Sequence, residues 1–236
     1  MINIDKKKYI ISLGGSLICP PEGIDIEFLC EFDKFIREKV KEGNKFFITC
    51  GGGITSRNYI NAATNVIGVG LKDFDKDWLG IHSTRLNGHL MRTIFRDIAY
   101  DHLIHDYSII NKEAIKFPIV ISVGWKPGWS TDYCATLIAE DYGSNIVINL
   151  SNIDQVYDKD PKKNEDAKPI NTMTWSELQN LVGNEWTPGM NTPFDPVATK
   201  KASEINLKVI IANGKNLQNL DKIISGKNYI GTTIHN

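Results

Sequence analysis

The sequence predicts an α/β protein: a three-layer αβα sandwich with a central, mostly parallel sheet. Two observations carry that reading. Short apolar, β-rich runs alternate with stretches of helical periodicity along the whole chain, the alternation of a parallel sheet. Three of those runs, ending at Leu13, Cys50 and Val123, also stop directly in glycine. Glycine loops then sit at the carboxyl ends of strands, where open α/β sheets place ligands.

The elements follow in order. Tyr9–Leu13 reads as the first strand and runs into Gly14, Gly15 and Ser16. Asp25 caps a helix whose Ile26, Leu29, Phe32, Phe35, Ile36 and Val40 recur at helical spacing, and Gly43 ends it. Lys45–Cys50 is a strand buried on both faces, followed by Gly51, Gly52 and Gly53. Thr55 or Ser56 is the expected N-cap of the next helix, with Tyr59, Ile60 and Ala63 as its apolar face. A strand that stops in three glycines and restarts as a helix aims bare N–H groups at one spot, which favours an anion, and Arg57 lies in the first turn. The alternative is a tight turn whose glycines only permit close packing.

Val66–Lys76 reads as a surface loop and about Asp77–Leu103 as a long helix with Trp78, Ile81, Leu86, Leu90, Ile94 and Ile98 on one side. Asp77 and Thr84-Arg85-Leu86-Asn87 are by default solvent-facing residues of that helix. Phe117–Val123 is the third glycine-terminated strand, and Ser130, Thr131 and Asp132 open the helix after it. Two tryptophans in that loop, Trp125 and Trp129, either pack down or stack on a flat ligand. Asn145–Leu150 is a strand, and Thr174 with Glu177 forms a capping box. Gly183–Pro196 is irregular. A helix from about Val197 to Ile205, a strand at Lys208–Ala212, a helix at Leu217–Ile224 and a short strand at Tyr229–Ile234 complete the alternation.

Composition narrows the function classes. The 236 residues carry 27 basic and 28 acidic side chains for a net charge of −1, without a basic block beyond Lys6–Lys8, so nucleic-acid binding has no support. The first apolar run is too short for a signal peptide or a membrane span. Cys19, Cys30, Cys50 and Cys134 are scattered, the pattern of reduced, mostly buried thiols in a cytoplasmic protein. His82, His89, His102, His105 and His235 lack ligand spacing and read as surface or packing residues.

Seven segments then stand in a recognisable order: LGGS (13–16), CGGGITSRNYI (50–60), TRLN (84–87), PGWSTD (127–132), SNIDQVYDKDP (151–161), FDPVATK (194–200) and YIGTTI (229–234). Together they resemble the amino acid kinase superfamily, and within it the archaeal-type UMP kinases. The resemblance covers nearly the whole chain. It implies one amino acid kinase domain over 1–236, with an acceptor-binding part of about 1–140 and a nucleotide-binding part of about 141–236. It also implies phosphoryl transfer from ATP, with Mg²⁺, to UMP, in a cytoplasmic homo-oligomer, a dimer or hexamer.

Residue by residue, the resemblance implies that Gly15 and Ser16 offer N–H donors to the transferring phosphoryl group. Gly52 would contact the acceptor, Gly53 and Arg57 the phosphates, and Asp77 the acceptor's ribose hydroxyls. The loop of Trp125, Lys126, Pro127, Gly128, Trp129, Ser130 and Thr131 would wrap the acceptor's base and phosphate. Ser151, Asn152, Tyr157 and Asp160 would hold the triphosphate nucleotide, with Tyr157 beside the adenine. Lys200 would neutralise the transferred group, and Asp132 would orient such basic groups and the magnesium shell. Lys200, Asp132, Gly15 and Arg57 are thus the implied catalytic set, with no residue assigned as a metal ligand.

Four positions depart from the family pattern. Ser12 stands where many members carry lysine, Trp125 where they carry threonine, Trp129 where they carry histidine, and Gln155 where they carry glycine. Two of these lie in the acceptor loop. They keep open an enzyme acting on another small phosphate or carboxylate, or a non-catalytic nucleotide- or oxyanion-binding or storage protein on the same fold.

Overall fold

The computed structural model describes residues 7–159, 163–185 and 192–236. The opening unit is strand β1 (Lys8–Leu13), a single helical turn α1 (Gly15–Ile18), helix α2 (Ile26–Lys41) and strand β2 (Lys45–Cys50). Helices α3 (Gly53–Ile67) and α4 (Asp73–Ile94) follow, then strand β3 (Ile119–Ser122), helix α5 (Thr131–Asp141) and strand β4 (Ile146–Ser151). Short strands β5 (Val156–Tyr157), β6 (Pro169–Ile170) and β7 (Thr172–Thr174) lead into helix α6 (Trp175–Val182). The last elements are α7 (Pro196–Glu204), β8 (Lys208–Asn213), α8 (Leu217–Ile224) and β9 (Thr232–His235).

The main sheet has seven strands in the order β3-β2-β1-β4-β8-β9-β7. β3, β2, β1, β4 and β8 pair in parallel, while β9 runs antiparallel to β8 and parallel to β7. The strand order reverses between β1 and β4, so a crevice opens there at the carboxyl ends of the strands. Register brings the ends level: Leu13 lies opposite both Cys50 and Leu150, and Ser151 opposite Asn213. The strands are apolar on both faces because helices cover both. One core layer joins Ile11, Leu13, Ile48 and Ile121 to Phe28, Phe32, Met91 and Leu220 of α2, α4 and α8. The other joins Ile10, Phe47, Val147 and Ile211 to Ile138, Leu178 and Ala198 of α5, α6 and α7.

Local signals set several boundaries as expected. Asp25 accepts from the Phe28 N–H at 3.0 Å, and the Thr174–Glu177 capping box forms in both directions. The connection between α3 and α4 departs from the expected loop. Helix persists to Ile67, a 3₁₀ turn spans Gly68–Gly70, and α4 begins at Asp73 with two acids in its first turn. At its other end α4 stops at Ile94 instead of reaching Leu103. Tertiary pairing wins there, since the Tyr100 and Ile104 N–H groups bond the Ile119 and Ile121 carbonyls of β3, both at 2.9 Å.

Two expectations for α3 are corrected. Its N-cap is Gly52, not Thr55 or Ser56, and Thr55 instead donates to the Cys19 sulfur at 3.4 Å. Its supposed apolar face is not core, since no residue of α3 is buried and Tyr59 is 61 % exposed. Leu86 is likewise exposed. All five histidines are exposed, and Cys30 is the one exposed cysteine. No helix among the described residues is long and apolar enough to cross a membrane.

Candidate functional site

The two glycine corners of β1 and β2 pack backbone against backbone. The Gly14 N–H bonds the Leu150 carbonyl at 2.8 Å across the crevice, and the Gly51 N–H bonds the Leu13 carbonyl at 2.9 Å. A Cβ on Gly15 would lie 2.6 Å from the Gly51 carbonyl carbon and 2.7 Å from the Gly52 nitrogen. Gly53 has φ +63, which side chains rarely adopt, and there too a Cβ would strike backbone, 2.7 Å from the Cys19 oxygen. Close approach is therefore a requirement at these positions. The result is a cradle of main-chain amides at the start of α3.

The third glycine corner forms the facing wall. Ser130 caps α5, accepting from the Tyr133 N–H at 3.0 Å, and its hydroxyl also donates to Asp195. The two loop tryptophans pack on each other edge to face at 4.9 Å between centroids, flanked by Tyr107 on Trp125 and Tyr133 on Trp129. The Lys126 ammonium sits 4.4 Å from both indole centroids. Of the two alternatives for these rings, packing is realised, and Trp129 also reaches the cleft. The Gly128 N–H donates to Asp77 at 2.7 Å, so a side chain of α4 pins the loop tip.

Between these walls lies a cleft of about 210 Å³. Six of the residues expected at the site line it together: Gly52, Asp77, Trp129, Ser130, Thr131 and Asp132. They come from three separate stretches of chain. Ser56, Lys76, Thr84 and Asp195 also line it and were not among the residues expected at the site. Thr84 and Asn87 are buried rather than solvent-facing as expected. Only their place in a recurring motif could have flagged them, because polar residues on a helix read as surface.

Other expected residues lie away from this cleft. Gly15, Ser16 and Gly53 stand at the amide cradle, with Arg57 exposed on the first turns of α3. Ser151 and Asn152 stand at and just beyond the end of β4, beside Gly214, whose N–H bonds the Ser151 carbonyl at 2.9 Å. Tyr157 lies in β5, and Lys200 is exposed on α7. Asp160 lies outside the described residues.

Two carboxylates dominate the electrostatics. Asp132 Oδ1 accepts from the Ser12 hydroxyl at 2.9 Å and from the Asn149 amide at 3.4 Å, donors on neighbouring strands in register. Asp195 caps α7, accepting from the Val197 and Ala198 N–H groups at 2.8 and 3.0 Å. Burial, then the facing Asp195 charge, pushes Asp132 up to about 7, only partly offset by the Ser12 hydrogen bond. Burial raises Asp195 as well.

A mostly parallel sheet with glycine corners at the carboxyl ends of neighbouring strands is an α/β architecture suited to an anionic ligand at its strand ends. Residues 7–213 match the Amino acid kinase family, and the chain belongs to that family. A uridylate kinase of Pyrococcus abyssi is 32% identical over 96% of this chain and 99% of its own length. One of Methanobrevibacter smithii is 30% identical over 96% of this chain and 98% of its own. The crystal structure of uridylate kinase from Archaeoglobus fulgidus superposes with a TM-score of 0.80 at 30% identity, covering 97% of this chain and 99% of that one. That of UMP kinase from Bacillus anthracis gives 0.78 at 19% identity over 97% and 96%, a likeness of fold.

Proposed function

We propose that this chain is a uridylate kinase, transferring a phosphoryl group from ATP to UMP to give UDP and ADP. The observation that carries the reading is the convergence of Gly52, Asp77 and Trp129–Thr131 on one cleft, with Asp132 beside them. The family resemblance gives the first five to the acceptor and Asp132 to the orientation of basic groups. Relatives of that activity at about this chain's own length support it further.

The acceptor would sit on the N-terminal part, between the Gly52 corner and the Trp125–Thr131 loop, with Asp77 at its ribose. The donor nucleotide would lie over the ends of β4 and β8 on the C-terminal part, near Ser151, Asn152 and Tyr157. Its phosphates would meet the acceptor at the Gly15–Gly53 cradle, where main-chain amides stabilise charge on the equatorial oxygens. Arg57 and Lys200 are cations at hand for the phosphates, and their exposure leaves both free to swing onto a ligand. The acceptor phosphate attacks directly, so no nucleophilic side chain is needed.

Magnesium would supply further charge neutralisation on the phosphates. The ion would be carried in on the triphosphate. The partners are then small anionic molecules, in a cytoplasmic enzyme. A coupled ADP-release assay with MgATP against UMP, CMP, dUMP, AMP and GMP tests the reading. Turnover well above the others is expected with UMP, and none with UMP would discard it. A different small acceptor is the second reading, favoured by the Trp125–Lys126–Trp129 cluster in the acceptor loop.

The chain is also expected to be a homo-oligomer. Helix α3 buries none of its residues, yet Tyr59, Val66, Ile67 and, beyond it, Val69 and Phe74 expose an apolar ridge. An exposed apolar ridge of this kind is characteristic of an association surface. Val66→Glu with Tyr59→Glu is expected to shift the mass seen by light scattering to that of one chain. An unchanged mass would place the interface elsewhere.

A further inference from the structure

Helix α4 carries four polar residues that each bond one of two loops outside the helix. The buried Asn87 amide donates to the Gly51 carbonyl at 2.8 Å, on the glycine corner after β2. Thr84, 7 % exposed, donates to Ile81 of its own helix at 2.7 Å and uses its free lone pair to accept the Gly124 N–H at 2.9 Å. The Arg85 guanidinium donates to the Gly124 and Trp125 carbonyls at 3.4 and 3.2 Å, and Asp77 takes the Gly128 N–H. Gly88 lets the helix lie this close, because a Cβ there would strike the Val123 side chain.

A helix that only packed would carry apolar residues at Thr84 and Asn87, since a buried polar group without a partner is costly. Here each partner is main chain of a loop that walls the cleft, and the two loops stand on opposite sides of it. We propose that α4 is a splint that fixes the spacing of these loops, with Thr84, Arg85 and Asn87 as positioning residues for the acceptor nucleotide. The proposal rests on the reading that the cleft takes a nucleoside monophosphate. None of these bonds reaches β4 or β8, and those of Asp77, Thr84 and Arg85 end on the acceptor loop alone. The splint therefore acts chiefly on the acceptor, and only the Asn87 bond touches the glycine corner that both phosphates share.

The test is steady-state kinetics of the whole protein with MgATP and UMP. Thr84→Val leaves the Gly124 N–H unpaired and is expected to raise KM for UMP about tenfold, with KM for ATP unchanged within twofold. Thr84→Ser keeps the hydroxyl and restores the wild-type value. Asn87→Leu frees the Gly51 carbonyl and is expected to raise KM for UMP about tenfold too, with a smaller rise for ATP through the shared glycine corner. Should those buried changes prevent folding, Arg85→Met at a half-buried site decides the question, with KM for UMP about threefold higher. Parallel loss of both affinities, or Thr84→Ser behaving like Thr84→Val, or unchanged KM in Arg85→Met, would overturn the splint. A wild-type protein without UMP turnover would instead overturn the acceptor reading on which it rests.

Discussion

Replacing Gly15 by alanine is expected to abolish binding of ATP and UMP and to destabilise the fold by about 3 kcal/mol. The added methyl would lie 2.6 and 2.7 Å from main-chain atoms of Gly51 and Gly52. Side chains yield to such overlap by turning, but two strand ends cannot. The Gly14–Leu150 and Gly51–Leu13 bonds hold both corners to the central strands, so relief requires breaking at least one of them. Gly70→Ala is the control, because a Cβ there meets only an Ile67 methyl at 3.5 Å, an ordinary contact. Urea midpoints and calorimetric titration with each nucleotide make the comparison. A Gly15→Ala protein with the wild-type midpoint and intact binding would show that the corners are not in contact.

The second large effect is a pH dependence of stability traced to Asp132. Its ordinary value is 3.8, and in the fold it is pushed up to about 7 by burial and by Asp195. Between those values the folded chain keeps a proton that the unfolded chain has released. The folded state then binds more protons, and stability falls as pH rises. This contribution is fully present below about pH 4 and is lost by about pH 7. At about 1.4 kcal/mol per unit, the loss approaches 4 kcal/mol as an upper figure, since the side chain stays partly open to the cleft. Asp132→Asn removes the titration and can still accept from Ser12. Wild type minus variant, measured by urea unfolding at steps from pH 4 to 8, should fall across that window. A difference that stays flat or rises with pH would show Asp132 ionised throughout. The same shift bears on function: a protonated Asp132 removes one negative charge from a cleft proposed to take anions.

Much of this architecture was legible because strands buried on both faces leave a dense apolar signature. Phe46–Cys50 and Ile119–Ser122 could hardly have been anything else. The glycines were legible for a related reason, since three strands ending in residues without side chains leave few physical explanations. What escaped was decided by contacts distant in sequence. Thr84 and Asn87 read as solvent-facing because nothing local shows that the loops after β2 and β3 lie against them. Asp195 read as part of a motif without a task, although its carboxylate both caps α7 and faces Asp132. Tyr59, Ile60 and Ala63 supplied helical spacing without a core to face, and periodicity cannot tell those cases apart. The turn at Phe95 was hidden for the opposite reason, because β3 recruits Tyr100 and Ile104 out of a pattern that could have stayed helical.

The place of β9 in the sheet bears on how the chain is made. β7 touches the main sheet only through β9, which is inserted between it and β8. The partner strand is synthesised about 60 residues after β7. At about 5–20 residues per second, β7 and the helix it starts wait about 3–12 s before their seat exists. During that interval Thr172–Thr174 has no strand to pair with, although Met173 within it and Trp175 beside it are buried in the finished fold. The strands from β1 to β4 can assemble as they emerge, whereas β7 stays an unpaired edge, open to chaperones, until β9 arrives.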